Sequence, residues 1–373
     1  MKVLLLSKYP RQGASSRLRS LQYLPALTAA GIEVTVSSLF DERYLQALYG
    51  SGRRQRLRPL LLYLKRLLQL PGVFRYDLIW IEKELFPYAP AWFERLLSRA
   101  GVRYVVDYDD AIFHNYDLAG SRVLRKVLGH KIDTVMASAE CVIAGNQYLA
   151  KRARQAGAVR VEMIPTVVDH TRYPQARSAT SPQATVPQSQ IVGQGMTGKQ
   201  RVIGWIGSPS TQRYVVEIKA ALQQVCERMN ARLMLVGAAD DVVVQLAGIP
   251  VEVVPWSEDT EARSIAQMDV GIMPLVDGPW ERGKCGYKLI QYMASGVPVV
   301  ASAVGVNIEI VSGSRCGRLV QSIDEWATAL QELLVDPQLR HTLGRAGRDR
   351  VEKKYSLDAQ APLLAGILKS TVR

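Results

Sequence analysis

Cysteine and long apolar runs are both scarce in this sequence. The 373-residue chain has four cysteines, which lie far apart and form no CxxC pair. This spacing argues against a zinc site or a disulfide framework and favours a reducing cytoplasm. No segment has the roughly 18 consecutive apolar residues that span a membrane. The opening apolar run VLLL is too short for a signal-peptide core and predicts a buried strand.

Two phosphate-binding motifs are also missing. The loop after the first predicted strand offers Gly13 alone, so no GxGxxG is present, and no GxxxxGK[ST] occurs in the chain. The first absence argues against a nicotinamide-dinucleotide fold, and the second argues against P-loop phosphoryl transfer.

Acidic residues are outnumbered by basic ones, 34 to 47, which gives a formal net charge of +13. A surface with this excess attracts anionic partners such as nucleic acid, lipid head groups or phosphorylated small molecules. The apolar fraction of 48% indicates a globular chain rather than a disordered one. At roughly 150 residues per domain, the length indicates two domains.

Strands and helices alternate along the chain in two series, separated near residue 173 by a segment rich in Ser, Thr, Gln, Pro and Gly. The strands are predicted at 3–6, 33–37, 78–81, 104–107, 141–144, 202–207, 233–237, 251–255, 270–275 and 298–302. The helices are predicted at 17–30, 90–100, 121–139, 214–229, 258–268 and 287–295, with a helical tail over 323–368 broken at Pro337 and Ser356. This pattern predicts an α/β fold of two doubly wound, parallel-sheet, Rossmann-like domains that face each other across a cleft.

A turn late in the second series has the features of an anion site. Gly286 precedes an amphipathic helix, and Lys284 and Lys288 lie four residues apart beside it. The first N–H groups of such a helix have no partner within the helix and lie at the positive end of its dipole. They can therefore bind a phosphate. The alternative is an ordinary strand-to-helix turn with two solvated lysines. The N–H groups concerned belong to Tyr287, Lys288 and Leu289.

A second glycine-bearing turn, GWIGSPSTQRY at 204–214, follows the strand predicted at 202–207. It offers a second phosphate cradle. Serine and threonine are also ordinary helix N-caps, which is the competing interpretation. The candidate phosphate ligands in this turn are Gly207, Ser208, Thr211 and Arg213.

The block GYKLIQYMASGVPVVAS resembles the donor-nucleotide segment of glycosyltransferase family 4. Similar blocks, spread along most of the chain, are GASSRLR, DYDDAIF, AGNQYLA, IPTVVD, IGWIGSPST and KKYS. The resemblance implies the GT-B fold and a retaining, metal-independent hexosyltransferase without a cofactor. Such an enzyme moves a sugar from a nucleotide-diphosphate sugar to a hydroxyl acceptor.

The resemblance also implies domain roles. Residues 1–172 would form the acceptor-side domain, 173–200 a linker and 201–350 the nucleotide-sugar-binding domain. The helix at 351–373 would pack back toward the N-terminal domain.

The sequence departs from the family at the two glutamates that usually lie eight positions apart. They fall on Gly283 and Gln291. A glutamine can still accept a hydrogen bond from a ribose hydroxyl through its carbonyl oxygen, whereas a glycine cannot contact a sugar. Glu281, Lys284 or Lys288 would then take the sugar-side role.

The family resemblance implies further site residues. Ser208, Thr211 and Arg213 occupy its diphosphate positions, and Trp256 follows the strand whose end meets the base. Lys288, with Arg213, would stabilise the departing diphosphate. The acceptor and sugar side would include Gly13, Ser15, Arg17 and His114, although surface arginines and loop histidines are common.

The acidic cluster Asp107, Asp109 and Asp110 contains a DxD pattern that can hold a metal. In a GT-B enzyme, helix dipoles and basic side chains neutralise the diphosphate, so we expect no metal. Asp109 or Asp110 would face the donor sugar or the acceptor hydroxyl.

Between Arg43 and Arg75 the sequence has eight basic residues, no acidic one, and the apolar run LLLYLKRLLQL. A basic amphipathic helix of this kind is typical of a membrane surface rich in anionic lipid. The competing interpretation is a core-facing helix with a charged rim. A membrane location would suit a lipid-linked acceptor in cell-surface polysaccharide biosynthesis, on the inner face of the membrane.

Three other classes stay open. The missing glutamates allow a non-catalytic nucleotide-sugar-binding paralogue, and the same fold allows a sugar-nucleotide epimerase or a phosphorylase. Nucleic-acid binding is disfavoured, since the chain lacks interleaved aromatic and basic residues.

Overall fold

The computed structural model describes residues 1–50, 57–173, 200–313 and 315–372. Within them the strands form two six-stranded sheets, and every pairing between neighbouring strands is parallel. The first sheet contains β1 (Lys2–Ser7), β2 (Glu33–Ser38), β3 (Leu78–Glu82), β4 (Tyr104–Tyr108), β5 (Cys141–Ala144) and β6 (Val161–Met163). The second contains β7 (Arg201–Ile206), β8 (Ala231–Val236), β9 (Val251–Val254), β10 (Val270–Met273), β11 (Val299–Ser302) and β12 (Gly317–Val320). The predicted fold class is confirmed.

The order of the strands in each sheet indicates where ligands bind. The first sheet runs β2-β1-β3-β4-β5-β6 and the second runs β12-β11-β10-β7-β8-β9. The order therefore reverses between β1 and β3 in the first sheet and between β7 and β10 in the second. Open α/β sheets bind ligands beyond the carboxyl ends of the strands at such reversal points.

The central strands form because most of their side chains are apolar, often β-branched or aromatic, and buried on both faces. All five residues of β3 and all five of β4 are buried. A strand covered on both faces reads as a continuous apolar run, as expected for a parallel sheet between two helix layers.

The helices lie between the strands. In the first half they are α1 (Ala14–Arg19), α2 (Leu24–Ala29), α3 (Glu42–Gly50), α4 (Leu57–Gln69), α5 (Trp92–Arg99), α6 (His114–Asp117), α7 (Arg122–Leu128), α8 (Lys131–Ser138) and α9 (Gln147–Gln155). In the second half they are α10 (Arg213–Glu217), α11 (Lys219–Met229), α12 (Val242–Gln245), α13 (Glu261–Ile265), α14 (Pro279–Arg282), α15 (Tyr287–Ala294), α16 (Val306–Ser312), α17 (Ile323–Val335), α18 (Pro337–Arg350) and α19 (Leu357–Val372). Short 3-10 helices cover Leu21–Tyr23, Leu70–Arg75, His170–Arg172 and Pro209–Thr211, and a π-helix covers Val351–Tyr355.

Several predicted helices are divided in the structure. The helix predicted at 17–30 is interrupted at Ser20, whose backbone (φ −129°, ψ −49°) leaves the helical region. The helix predicted at 121–139 is divided between Gly129 and His130, where α7 ends and α8 begins. Glycine is a weak helix former, so a tertiary contact easily ends a helix there.

The chain forms two compact units. The first contains Met1–Val168, Asp277–Cys285 and Lys354–Arg373, and the second contains Asp169–Val276 and Gly286–Lys353. In the first unit, Leu364 and Leu368 of α19 share one buried cluster with Val3, Leu5 and Trp80 of the sheet. Of the predicted linker at 173–200, only the two end residues lie within the described part of the chain.

Candidate functional site

Two glycines let the loops after β7 and β8 approach each other closely. Gly237 has φ +80°, and a side chain there would lie well under 3.0 Å from the Gly207 carbonyl oxygen and 3.1 Å from Cβ of Trp256. A Cβ on Gly207 would lie well under 3.0 Å from the Trp205 ring and 3.0 Å from Cε of Lys288. The predicted donor residues Gly207, Trp256 and Lys288 therefore lie together beyond the carboxyl ends of β7, β8 and β9.

Lys288 is held over an aromatic ring at this edge. Its Nζ atom lies 5.6 Å from the ring centroid of Trp205, which is buried in β7. An ammonium over an indole face is attracted by the ring quadrupole. The contact fixes the cation at the carboxyl end of the central strand.

The helix that carries Lys288 begins at a residue that must be glycine. Gly286, the N-cap of α15, has φ +69°, and a Cβ there would collide with Ile310 and Val306 of α16. The predicted set of phosphate-facing N–H groups needs one correction. The Leu289 N–H donates to the Gly286 carbonyl oxygen at 3.0 Å, because the first turn of α15 closes with an i to i+3 bond, so this donor is used within the helix.

The turn after β7, which the sequence predicts to bind phosphate, contains a helix-capping interaction. Ser208 and Thr211 form a capping box around the 3-10 turn at Pro209–Thr211. The Arg213 guanidinium stacks on the ring of Tyr214, 4.9 Å from its centroid, and donates to the Tyr214 hydroxyl at 3.0 Å. Ser208 thus serves as an N-cap in the structure, as the competing interpretation expected, and phosphate binding by this turn stays a prediction.

Gln291 joins a buried polar network that the sequence did not predict. Its Nε2 atom donates to the hydroxyl of Tyr173 at 3.3 Å, and that hydroxyl donates to Oε1 of Glu261 at 2.7 Å. The indole N–H of Trp256 donates to Oε2 of Glu261 at 2.8 Å. A cavity of about 300 Å³ adjoins this network. Its lining residues are Arg172, Tyr173, Glu258, Asp259, Glu261 and Ala262.

In the first unit, a buried lysine organises the predicted acceptor-side residues. Lys83 follows β3 in a left-handed backbone conformation with φ +67°, which is rare for a residue with a side chain. Its Nζ atom lies 2.9 Å from Oδ1 of Asp109 and 4.0 Å from Oδ2 of Asp110. It also donates to the Ser15 hydroxyl at 2.9 Å. The structure therefore brings Ser15, Asp109 and Asp110 together.

The charges of this cluster decide which carboxyl groups are ionised. Burial alone would raise the pKa of Asp109, but Lys83 and Arg19 outweigh it and hold that pKa below its usual value. The neighbouring Asp107 is fully buried, and burial raises its pKa to about 6 although Arg19 opposes the shift. Asp109 therefore stays ionised to a lower pH than Asp107 does.

The remaining predicted acceptor-side residues are hydrogen-bonded, closely packed or buried. The ring nitrogens of His114 contact Asp117 at 2.8 Å and the hydroxyl of Tyr148 at 2.9 Å. A Cβ on Gly13 would clash with Tyr9. Arg17 and Glu281 are both buried.

Gly283 is a glycine for a steric reason. A Cβ at this position would lie well under 3.0 Å from Cβ of Ala111, so the first family glutamate has no room here. The adjoining backbone is held by Asn146, whose Nδ2 atom donates to the carbonyl oxygens of Gly283 at 3.0 Å and Lys284 at 3.1 Å. Among the described residues, no three His, Cys, Asp or Glu side chains are grouped so that they could hold a metal.

Part of the chain resembles a known protein family. Residues 200–336, which contain all six strands of the second sheet and the donor candidates, match the family model for glycosyl transferases group 1. The chain has the GT-B fold, and its residues 200–336 resemble glycosyl transferases group 1. Among its relatives, the GDP-mannose-dependent monoacylated alpha-(1-6)-phosphatidylinositol monomannoside mannosyltransferase of Corynebacterium glutamicum is 27% identical over 272 residues. That alignment covers 69% of this chain and 67% of the relative.

A second relative, the uncharacterized glycosyltransferase MJ1607 of Methanocaldococcus jannaschii, is 27% identical over 47% of this chain and 46% of its own length. Solved structures share the fold over nearly the whole chain. Sucrose-phosphate synthase from Thermosynechococcus elongatus superposes with a TM-score of 0.73 at 19% identity, covering 99% of this chain and 98% of that one. Anabaena Alr3699/HepE in complex with UDP superposes with a TM-score of 0.70 at 18% identity, covering 99% and 100%.

Proposed function

We propose that this glycosyltransferase moves a sugar from a nucleotide-diphosphate sugar to a hydroxyl acceptor with retention of anomeric configuration. The observation that carries the proposal is the placement of Lys288, at the first turn of α15 and over Trp205 at the carboxyl end of β7. The named relatives support the donor class, since one is a GDP-mannose-dependent enzyme and one structural neighbour binds UDP.

The chemistry follows from where charge develops. Cleavage of the sugar–phosphate bond builds positive character on the sugar and negative charge on the departing diphosphate. The departing diphosphate carries more negative charge than the diphosphate of the intact nucleotide sugar. A preorganised cation at a helix N-terminus therefore stabilises the leaving group more than it stabilises the bound donor. In a same-face transfer the departing phosphate oxygen accepts the proton of the acceptor hydroxyl, so a glycosidase-like pair of carboxyl groups is not required.

Asp110 is our candidate for contact with the donor sugar or the acceptor. Its side chain is 35% exposed, whereas that of Asp109 is 9% exposed and lies against Lys83. In this arrangement Asp109 and Lys83 hold the loop after β4, and Asp110 is the carboxylate that a hydroxyl group can reach.

Replacement of Lys288 tests the proposed leaving-group role. Removing one preorganised donor to a developing anion costs about 10²–10³-fold in kcat. We expect that loss for Lys288→Ala with the nucleotide sugar that wild type turns over fastest. Lys353→Ala, at an exposed lysine, is the matched control and should retain wild-type turnover. Near-normal kcat for Lys288→Ala would overturn the assignment, and donor binding without transfer by the wild type would favour the non-catalytic alternative.

We also propose that α4 lies on an anionic membrane and brings the enzyme to a lipid-linked acceptor. The buried face of α4 is formed by Arg66, which donates to the carbonyl oxygens of Ser7 and Ser37, and by Tyr63, which packs on Phe86. The opposite face is apolar and exposed. It consists of Leu60, Leu61, Leu64, Leu67 and Leu68, which are 39–75% exposed.

The arrangement of α4 is the reverse of the core-facing helix that the sequence allowed, because its leucines point outward and an arginine is buried. Their spacing gives one continuous stripe of the kind that enters the headgroup region of a bilayer. Lys65 is exposed within the same helix. Of the basic residues that precede it, Arg53, Arg54 and Arg56 lie outside the described residues. No helix among the described ones is both long and apolar enough to cross a bilayer.

Flotation with vesicles tests the membrane proposal. Wild type should float with vesicles containing phosphatidylserine and should stay at the bottom with phosphatidylcholine alone. A Leu61→Ser, Leu64→Ser and Leu68→Ser triple variant should lose flotation, while Val243→Ser and Val244→Ser, at exposed positions of α12 in the second unit, should not. Equal recovery of wild type and the triple leucine variant would contradict the proposal.

A further inference from the structure

We propose that Glu261 is a positioning residue for the nucleoside half of the donor, an inference that rests on the proposed function. Its side chain is buried, and its two carboxylate oxygens have different partners. One accepts from the hydroxyl of Tyr173 at 2.7 Å and the other from the indole N–H of Trp256 at 2.8 Å. A buried carboxylate with a neutral donor on each oxygen fixes both donor groups in place.

Trp256 is the group whose orientation matters for a ligand. It follows β9 at the carboxyl edge of the second sheet, and 41% of its surface is exposed although its N–H is hydrogen-bonded to a buried partner. An aromatic ring with one anchored edge and an exposed face is a platform on which a nucleobase can stack. A side chain at Gly237 would come within 3.1 Å of the Trp256 Cβ, so the glycine leaves the room that Trp256 occupies.

Tyr173 extends the same network to the helix that carries Lys288. Its hydroxyl accepts from Gln291 of α15 at 3.3 Å, and its carbonyl oxygen accepts from Arg348 at 2.9 Å. The Trp256 ring is thus joined to the phosphate-side helix through Glu261 and Tyr173 by three hydrogen bonds. Lys288 itself lies over Trp205 and beside Gly207, and neither is among the hydrogen-bond partners of Glu261, Trp256 and Tyr173 given above.

This separation predicts a selective effect. Loss of the Glu261 carboxylate should release Trp256 and weaken binding of the base and ribose, while the diphosphate contacts of Lys288 remain. Stacking of a base on an aromatic side chain contributes roughly tenfold or more in affinity. The cavity of about 300 Å³ beside Glu261 leaves room for the released groups to rearrange.

The test compares a nucleoside diphosphate with inorganic pyrophosphate. For Glu261→Leu, calorimetric titration should show about tenfold weaker binding of the nucleoside diphosphate that wild type binds best. Competition by pyrophosphate should be unchanged. Glu261→Gln retains an acceptor for the indole and a donor for the Tyr173 oxygen, so it should bind within about threefold of wild type. Glu258→Gln, a carboxylate on the same cavity that is paired with Arg172, is the matched control.

Kinetics and a double variant complete the test. Glu261→Leu should raise the donor KM with little change in kcat, and adding it to Trp256→Ala should cause no further loss, since both act through the same ring. Wild-type nucleotide affinity in Glu261→Leu, or an equal loss for pyrophosphate, overturns this inference alone. Absence of nucleoside-diphosphate binding by wild type overturns the proposed function, and this inference with it.

Discussion

The pair of Arg19 and Asp107 provides the sharpest stability prediction. The Arg19 Nε atom lies 2.6 Å from Oδ1 of Asp107, and the two side chains are 1% and 2% exposed. Arg19 also donates to the carbonyl oxygen of Ile164 at 2.6 Å. The change we consider is Arg19→Met, which keeps most of the side-chain volume and removes the charge.

The magnitude follows from what the change leaves behind. Breaking a buried ion pair by removing one partner costs about 3–5 kcal/mol, because the other charge stays buried without compensation. With a urea m-value of about 2 kcal/mol/M, the unfolding midpoint should fall by about 2 M. The chain has two compact units, so we expect two transitions in far-UV circular dichroism and a shift in only one of them. Arg11→Met, at an exposed arginine, is the control.

Acid should relieve the defect. Burial already raises the pKa of Asp107 to about 6 in the wild type, and removal of Arg19 raises it further. An acid whose folded-state pKa is raised binds its proton more tightly in the folded state, so stability falls as the pH rises through that range. The penalty of Arg19→Met should therefore be smaller at pH 5 than at pH 8. An Arg19→Met, Asp107→Leu double variant should be more stable than Arg19→Met at pH 8. A loss below about 1 kcal/mol, or additive losses in the double variant, would refute this reasoning.

Three further changes test the close contacts of the site. Gly283→Glu restores the family residue, but its Cβ would collide with buried Ala111, so the melting temperature should fall by about 5 °C or more. The control Gly120→Glu, at a glycine with open space around it, should leave the melting temperature unchanged. Gly207→Val should reduce donor turnover at least tenfold by displacing Lys288, and unchanged kinetics would contradict the contact at 3.0 Å. Asn146→Ala removes the N-cap of α9 and two bonds to backbone carbonyls, so urea unfolding should show a loss of about 2–3 kcal/mol, and a loss under 0.5 kcal/mol would argue against these bonds.

Most strands of the two sheets could be predicted because their sequences are short apolar runs and the strands are buried. The strands β3 and β4 are buried along their whole lengths, so a short apolar run was sufficient evidence. β6, with sequence VEM, and β12, with sequence GRLV, were missed because a short strand at a sheet edge includes polar residues. Their strand conformation comes from pairing with β5 and β11 rather than from their own composition.

Some residues of the candidate site could likewise be predicted from the sequence, and others could not. Lys288, Gly207 and Trp256 follow predicted strands or open a predicted helix, so topology alone brings them to one edge. Lys83 and Glu261 were missed, since their roles depend on partners far away in sequence, Ser15 and Tyr173. Two signals were present. Lys83 lies in the charged triplet EKE directly after a buried strand, and Glu261 shares the inner face of α13 with Ile265 four residues later.

The measurement that tests the central claim most directly is the product analysis of one transfer reaction. Purified enzyme is incubated with a panel of nucleotide-diphosphate sugars and a lipid extract as acceptor, and both the nucleoside diphosphate released and the anomeric configuration of the product are determined by NMR. We predict release from one donor in equal amount to the sugar transferred, with the anomeric configuration of the donor retained. Release from none of the donors, or a product of inverted configuration, would contradict the account.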